Sequence, residues 1–156
     1  PSIGPPRLPA RSVRVLCDVN ILVRAHERSS GPAREVLLAI LTGGHSLLVS
    51  AELLIELGRV LRYPRLVELY GLTEEQIYDY IQSLMLLSER VVPDRSILVP
   101  MRDPEDIVVL QTALSGDADV ICTRDSDFFA PETLEFCRSL GIEVCTDVEL
   151  ARSLLP

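Results

Sequence analysis

DPEDIVVLQTALSGDADVICT, residues 103–123, is the stretch on which the fold reading turns. Asp103 can cap a helix, Pro104 suits its first turn, and the apolar run that follows stops at Gly116. Asp119 to Thr123 (DVICT) is then a short β-branched run of the kind that forms a buried strand. The same alternation extends outward on both sides. Upstream, Val13 to Cys17 (VRVLC) reads as a strand ending at Asp18, and the chain turns helical after it. Gly31-Pro32, AREVLLAILT and Gly43-Gly44 mark a helix with its start and stop, and His45 to Ser50 the next strand. Ser50 can cap AELLIELGRVL, in which Leu53, Leu54, Leu57, Val60 and Leu61 share one face before Tyr63-Pro64 ends the helix. Thr73 and Gln76 form a capping box for a helix through about Leu87, and Val91-Val92 and Ile97 to Val99 read as short extended pieces. Downstream, Pro131 to Leu140 is a helix closed by Gly141, Ile142 to Cys145 a strand, and Asp147 to Leu154 a terminal helix. Strands separated by helices predict an α/β fold, a three-layer α/β/α sandwich around a central, mostly parallel sheet.

Residues 1–12 carry four of the eleven prolines and little apolar periodicity, so a flexible tail is expected there, with a single domain over 13–154. The absent initiator Met is expected to reflect processing or trimming. A length of 156 residues, 47% hydrophobic residues and a mean hydropathy of +0.26 exclude disordered and low-complexity classes and leave room for one core. No apolar run approaches the roughly 18 to 20 residues of a membrane span, which leads us to expect a cytoplasmic protein without a membrane partner. Cys17, Cys122, Cys137 and Cys145 form no CxxC pair and are expected to be buried, reduced thiols.

Charge narrows the chemistry. Twenty-three acidic residues face fifteen basic ones, for a net charge of −8, and every basic residue is arginine. The absence of lysine disfavours P-loop nucleotidases, receiver domains and Schiff-base enzymes. Seven carboxylates fall between Asp103 and Asp127. In open α/β sheets, ligands sit beyond the carboxyl ends of the strands. Asp18 and Asp125 follow strands, Asp106 lies in the first turn of its helix, and Glu56 borders an apolar helix face from which its side chain can lean back to the same edge. Carboxylates within ~4 to 6 Å of one another repel, and a divalent cation resolves that repulsion. Oxygen ligands suit Mg²⁺ or Mn²⁺, which implies metal-assisted phosphoryl cleavage. Plainer roles compete at each position: Asp103 as an N-cap, Asp106 as a partner of the helix dipole, Asp18 as an Asx-turn residue, Asp125 and Asp127 as solvated loop, and Glu56 snorkelling to solvent.

The segments CDVNILVRA, SAELLIELGRVLRYPRL, RDPEDIVVLQTAL and ADVICTRDSDFF together resemble the PIN domain family, in particular the toxin components of bacterial toxin-antitoxin systems (VapC-like). The resemblance covers about residues 13–154. It implies a Mg²⁺- or Mn²⁺-dependent endoribonuclease with Asp18, Glu56, Asp106 and Asp125 as catalytic and metal-binding residues and Asp127 as a further metal position. It also implies supporting roles for Asn20, Thr123 and Asp103, a small antitoxin as partner, and a homodimer. The chain departs from the family at Val19, where a Thr or Ser is usual.

Two rivals stand beside this reading: a DNA-directed nuclease with the same site, and a non-catalytic scaffold that binds a protein. No RNA-reading motif is visible, and aromatics make up only 4% of the chain. Candidate RNA-phosphate contacts are Arg24, Arg28, Arg34, Arg59, Arg62, Arg102 and Arg124, with Arg102 and Arg124 preferred. An antitoxin segment reaching an acidic pocket is expected to be basic.

Overall fold

The computed structural model describes Leu8 and residues 11–155. The expected tail over residues 1–12 lies mostly outside these. Within it, Leu8 packs against the core and Arg11 pairs with Asp119 at 3.3 Å.

The elements run β1 (Arg14–Cys17), α1 (Val19–Val23), α2 (Pro32–Thr42), β2 (Ser46–Val49), α3 (Ala51–Leu61), α4 (Pro64–Tyr70), α5 (Glu74–Leu87), β3 (Glu89–Arg90), α6 (Pro104–Ser115), β4 (Val120–Cys122), α7 (Pro131–Ser139), β5 (Glu143–Cys145) and α8 (Asp147–Leu154). The strands form one sheet in the order β3-β2-β1-β4-β5, and every pair is parallel. Apolar β-branched and leucine runs suit such a sheet because both faces are covered. The chain steps from β1 to β2 to β3 in one direction, and α6 then carries it back to β4 on the other side of β1. Right-handed crossovers place α2 and α3–α5 on one face and α6 and α7 on the other. Packing agrees with this: α3 lies against α1, α4 and α5, and α2 against α8. At the end of α6, an added Cβ on Gly116 would meet Val91 at 2.9 Å and Leu48 at 3.0 Å, so a glycine permits the close approach of helix to sheet. The fold is the expected α/β/α sandwich.

The helix signals correspond to physical caps. Ser50 accepts a hydrogen bond from the Leu53 amide, the Thr73–Gln76 box is complete, and Asp103 accepts from the amides of Glu105 and Asp106. All four cysteines are free and buried. Cys17, Cys122 and Cys145 are register neighbours across the carboxyl ends of β1, β4 and β5.

Three stretches expected from the sequence take definite form. The extended piece at Val91-Val92 continues from the short strand Glu89–Arg90, and the Val91 amide adds one further backbone bond to the Val49 carbonyl (2.7 Å) before Pro93, which has no N–H to donate. Ile97 to Val99 pairs with no strand, and the Gln111 amide satisfies the carbonyls of Arg95 and Ile97. Tyr63-Pro64 ends one helix and also opens the next, since proline at a first helical position leaves no donor unmet.

A 3-10 turn, Ser126–Phe129, follows β4 and carries Asp127, which stays exposed. Phe128 in that turn is fully buried and anchors the segment that carries Asp125 and Asp127. Phe128→Ala is expected to cost about 3–5 kcal/mol in denaturant unfolding. Leu98→Ala, at a position 91% exposed, should change stability by less than about 0.5 kcal/mol. Equal effects for the two would contradict the anchoring role.

Candidate active site

The chain leaves β1 and β4 in opposite directions, and such a switch point opens a crevice beyond the strand ends. Asp18 follows β1 directly, and its amide donates to the Cys122 carbonyl at 2.9 Å. Its carboxylate makes no capping bond to α1 and is instead held from across the sheet, accepting from the Thr123 hydroxyl at 2.8 Å. That hydroxyl in turn accepts from the Asp125 amide at 3.0 Å. One side chain thus ties the ends of β1 and β4 together. Burial raises the Asp18 pKa, opposed by the Thr123 bond and the nearby amides of Val19 and Asn20, and Asp125 pushes it further up.

Asp106 arrives from the opposite wall. Asp103 occupies the capping role in α6, which leaves the Asp106 carboxyl free to face the crevice. Only 8% of Asp106 is exposed. Burial, then the charges of Asp125 and Asp103, then a hydrogen bond shared with Asp125 and the charge of Asp18 push its pKa up to about 7. Asp125 accepts from the Asp127 amide at 2.9 Å, which folds the 3-10 turn and brings Asp127 alongside. Among the described residues, Asp106, Asp125 and Asp127 each offer a carboxylate oxygen, all within 4.8 Å of one another.

Asp18, Asp106 and Asp125 border a cavity of about 300 Å³ that Glu52, Glu56, Asp103 and Glu105 also line, with no basic residue among the described residues of its wall. An all-oxygen, net-negative donor set of this kind fits a hard divalent cation. The raised Asp106 pKa is the electrostatic sign of the same crowding, since a proton partly fills the place of a cation.

The sequence candidates fare unequally. Asp18, Asp106, Asp125 and Asp127 converge, with Asn20 on the cavity wall and Thr123 beneath it. Glu56 lines the same cavity, but its carboxylate accepts from Arg59 Nε at 3.0 Å and is already neutralised. Arg102 is exposed and lines neither this cavity nor the groove beside it. Arg124 is engaged by a residue the sequence reading did not single out: its Nε donates to Asp147 at 2.6 Å. Asp147 lies two residues past β5, much as Asp125 lies three past β4, but the capping box Thr146–Glu149 gives it the look of an ordinary helix start.

The crowding has a pH signature. A Mn²⁺ ion held here would have to displace the Asp106 proton, so its affinity should weaken by up to about tenfold per pH unit below about 7 and level off above. Calorimetric titrations at about pH 6, 7 and 8 measure this, and a pH-independent affinity would contradict it.

The PIN domain family profile matches residues 14–127, from the start of β1 to the 3-10 turn. No curated protein matches the chain. A chain from the crystal structure of VapBC2 from Rickettsia felis, bound to a DNA fragment from its promoter, shares the fold with a TM-score of 0.55 at 14% identity. The alignment covers 85% of this chain and 98% of that one. With most of its length matched by the family profile, including all five acidic positions from Asp18 to Asp127, this chain belongs to the PIN domain family.

Proposed function

We propose that the protein is a Mg²⁺- or Mn²⁺-dependent endoribonuclease that acts in the cytoplasm as the toxin of a toxin-antitoxin pair. The observation that carries this reading is the convergence of Asp106, Asp125 and Asp127 within 4.8 Å, with Asp18 beside them, at the switch point of the sheet. Membership of the PIN domain family supports it, as does the fold shared with a chain of the VapBC2 structure.

Asp106, Asp125 and Asp127 would hold the ion, and Asp18, fixed by Thr123, would orient water within the site. When bound, the ion supplies positive charge that polarises a phosphodiester and favours the attack of water. Asp103 holds the first turn of α6 in place through the amides of Glu105 and Asp106, and so sets where Asp106 points. Glu56, paired with Arg59, forms the cavity wall and ties it to neighbouring basic surface. Val19 lines the cavity without a hydroxyl, and Thr123 supplies the hydroxyl that reaches Asp18.

A small antitoxin with a basic side chain would complement the seven carboxylates of the cavity and block it. The homodimer belongs to the same proposal. Among the described residues, no helix is long and apolar enough to cross a membrane.

Cleavage of labelled RNA and DNA in Mn²⁺ tests the activity. Asp125→Asn and Asp18→Asn should each lower RNA cleavage about a hundredfold or more, equivalent to roughly 3 kcal/mol of barrier, and EDTA should abolish it. Cleavage that survives in both variants would reject the site. Cleavage of DNA alone would select the deoxyribonuclease, and no cleavage with an intact Mn²⁺ site would select the binding scaffold.

A further inference from the structure

A second concavity of about 620 Å³ adjoins the acidic cavity and shares Asn20, Glu56, Val60 and Glu105 with it, so the two open onto one another. Its character is the reverse. Four arginines, Arg24, Arg59, Arg65 and Arg124, face two carboxylates there, in a chain whose net charge is −8. Arg59 pairs with Glu56 and stacks over Tyr63 with its guanidinium 5.5 Å from the ring centre. Tyr70 also lines the groove, and its ring is fixed by the buried His26 packed edge-on at 4.4 Å.

Beneath the groove lies Asp147, 1% exposed, a buried carboxylate without an evident role in the fold's core. It binds Arg124 Nε at 2.6 Å and stands 3.6 Å from Arg24 Nη2. Arg24 is braced further by a bond from its Nε to the Asn20 carbonyl at 3.2 Å, while its Nη2 has no hydrogen-bond partner. Arg124 uses only Nε, so its two terminal nitrogens have no protein partner among the described residues. Asp147 holds one side of each guanidinium, which leaves Arg24 Nη1 and the terminal nitrogens of Arg124 without a protein partner among the described residues, as donors for an anion.

We propose that Asp147 is a positioning residue, which sets Arg24 and Arg124 to bind the phosphates of single-stranded RNA flanking the cleaved bond, with Tyr63 and Tyr70 as stacking surfaces for its bases. The inference rests on the nuclease reading for the identity of the polymer and deepens it. A single strand is favoured because stacking needs unpaired bases, and because arginines that contact phosphate do not read sequence. Continuity with the acidic cavity places the groove one step along the same strand from the metal position.

Fluorescence anisotropy with a short fluorescein-labelled oligouridylate, in EDTA to prevent cleavage and over a series of salt concentrations, tests the proposal. Arg24→Gln and Arg124→Gln should each weaken binding and flatten the slope of log affinity against log salt by about 0.7. Asp147→Asn should flatten it by more than either change alone. Adding Arg124→Gln to Asp147→Asn should then do little more, a coupling that a merely structural role would not produce. Asp147→Glu should restore part of the slope. Should Asp147→Asn fail to fold, the two arginine variants decide alone. Unchanged slopes in both of them, or tighter binding of a duplex than of the single strand, would overturn the proposal. Arginine-dependent binding without Mn²⁺-dependent cleavage would retain the groove and reject the nuclease, whereas cleavage with salt slopes indifferent to the arginines would do the reverse.

Discussion

Repulsion among carboxylates that the fold forces together is the constraint on which the rest of the site depends. Asp106 is buried against Asp125 and feels Asp103 and Asp18 as well, so its pKa lies near 7 instead of in the ordinary carboxylate range. Its folded-state pKa exceeds the unfolded value. The stability that its proton confers is therefore fully present below about pH 4 and is lost as pH rises through about 7. Once ionised, the cluster opposes folding, and the cation proposed for the site would relieve that repulsion. Function and stability pull against each other here, as is common at sites built of like charges.

The structure contains that repulsion by dividing labour among neighbouring residues. Asp103 takes the helix cap, which frees Asp106 from it. Thr123 donates to Asp18 and accepts from the Asp125 amide, so one hydroxyl fixes two acidic positions. Phe128, fully buried, pins the turn that holds Asp125 and Asp127. Beside the crevice the charge pattern reverses, and Asp147 pairs with Arg124 and Arg24. Carboxylates thus meet opposite surroundings past the ends of β4 and β5. Among the described residues Asp18, Asp106 and Asp125 have no basic partner, and Asp147 has two.

The layers of the fold were legible because helix starts and stops in this chain are chemical. Ser50, Thr73 and Asp103 sit at real caps, and the apolar runs between them have room only for short buried strands. The convergence of Asp18, Asp106 and Asp125 followed from the rule that strand ends face one edge of an open sheet. Illegible features depend on contacts distant in sequence. Glu56 is an exception, since it reaches the expected cavity and its partner Arg59 is only three residues along the same helix, yet spacing alone does not say that the pair forms. The extended piece at Ile97 to Val99 was legible, but its support by Gln111, 14 residues further on, was not. Asp147 escaped notice because a capping box accounts for it locally, while its partners Arg24 and Arg124 come from two other parts of the chain.

Thermal melts of the wild-type protein and Asp106→Asn at about pH 8, in EDTA and in saturating Mn²⁺, separate a repelling carboxylate from a partner of the helix dipole. The variant should melt no lower than wild type in EDTA, because one repelling charge is gone. Wild type should gain about 2.7 kcal/mol from Mn²⁺ at roughly a hundred times its dissociation constant, and the variant less at the same concentration. If Asp106 served only the helix dipole, its loss would destabilise the metal-free protein by roughly 0.3 to 1 kcal/mol. A variant that melts lower in EDTA and shows the wild-type shift in Mn²⁺ would contradict the account.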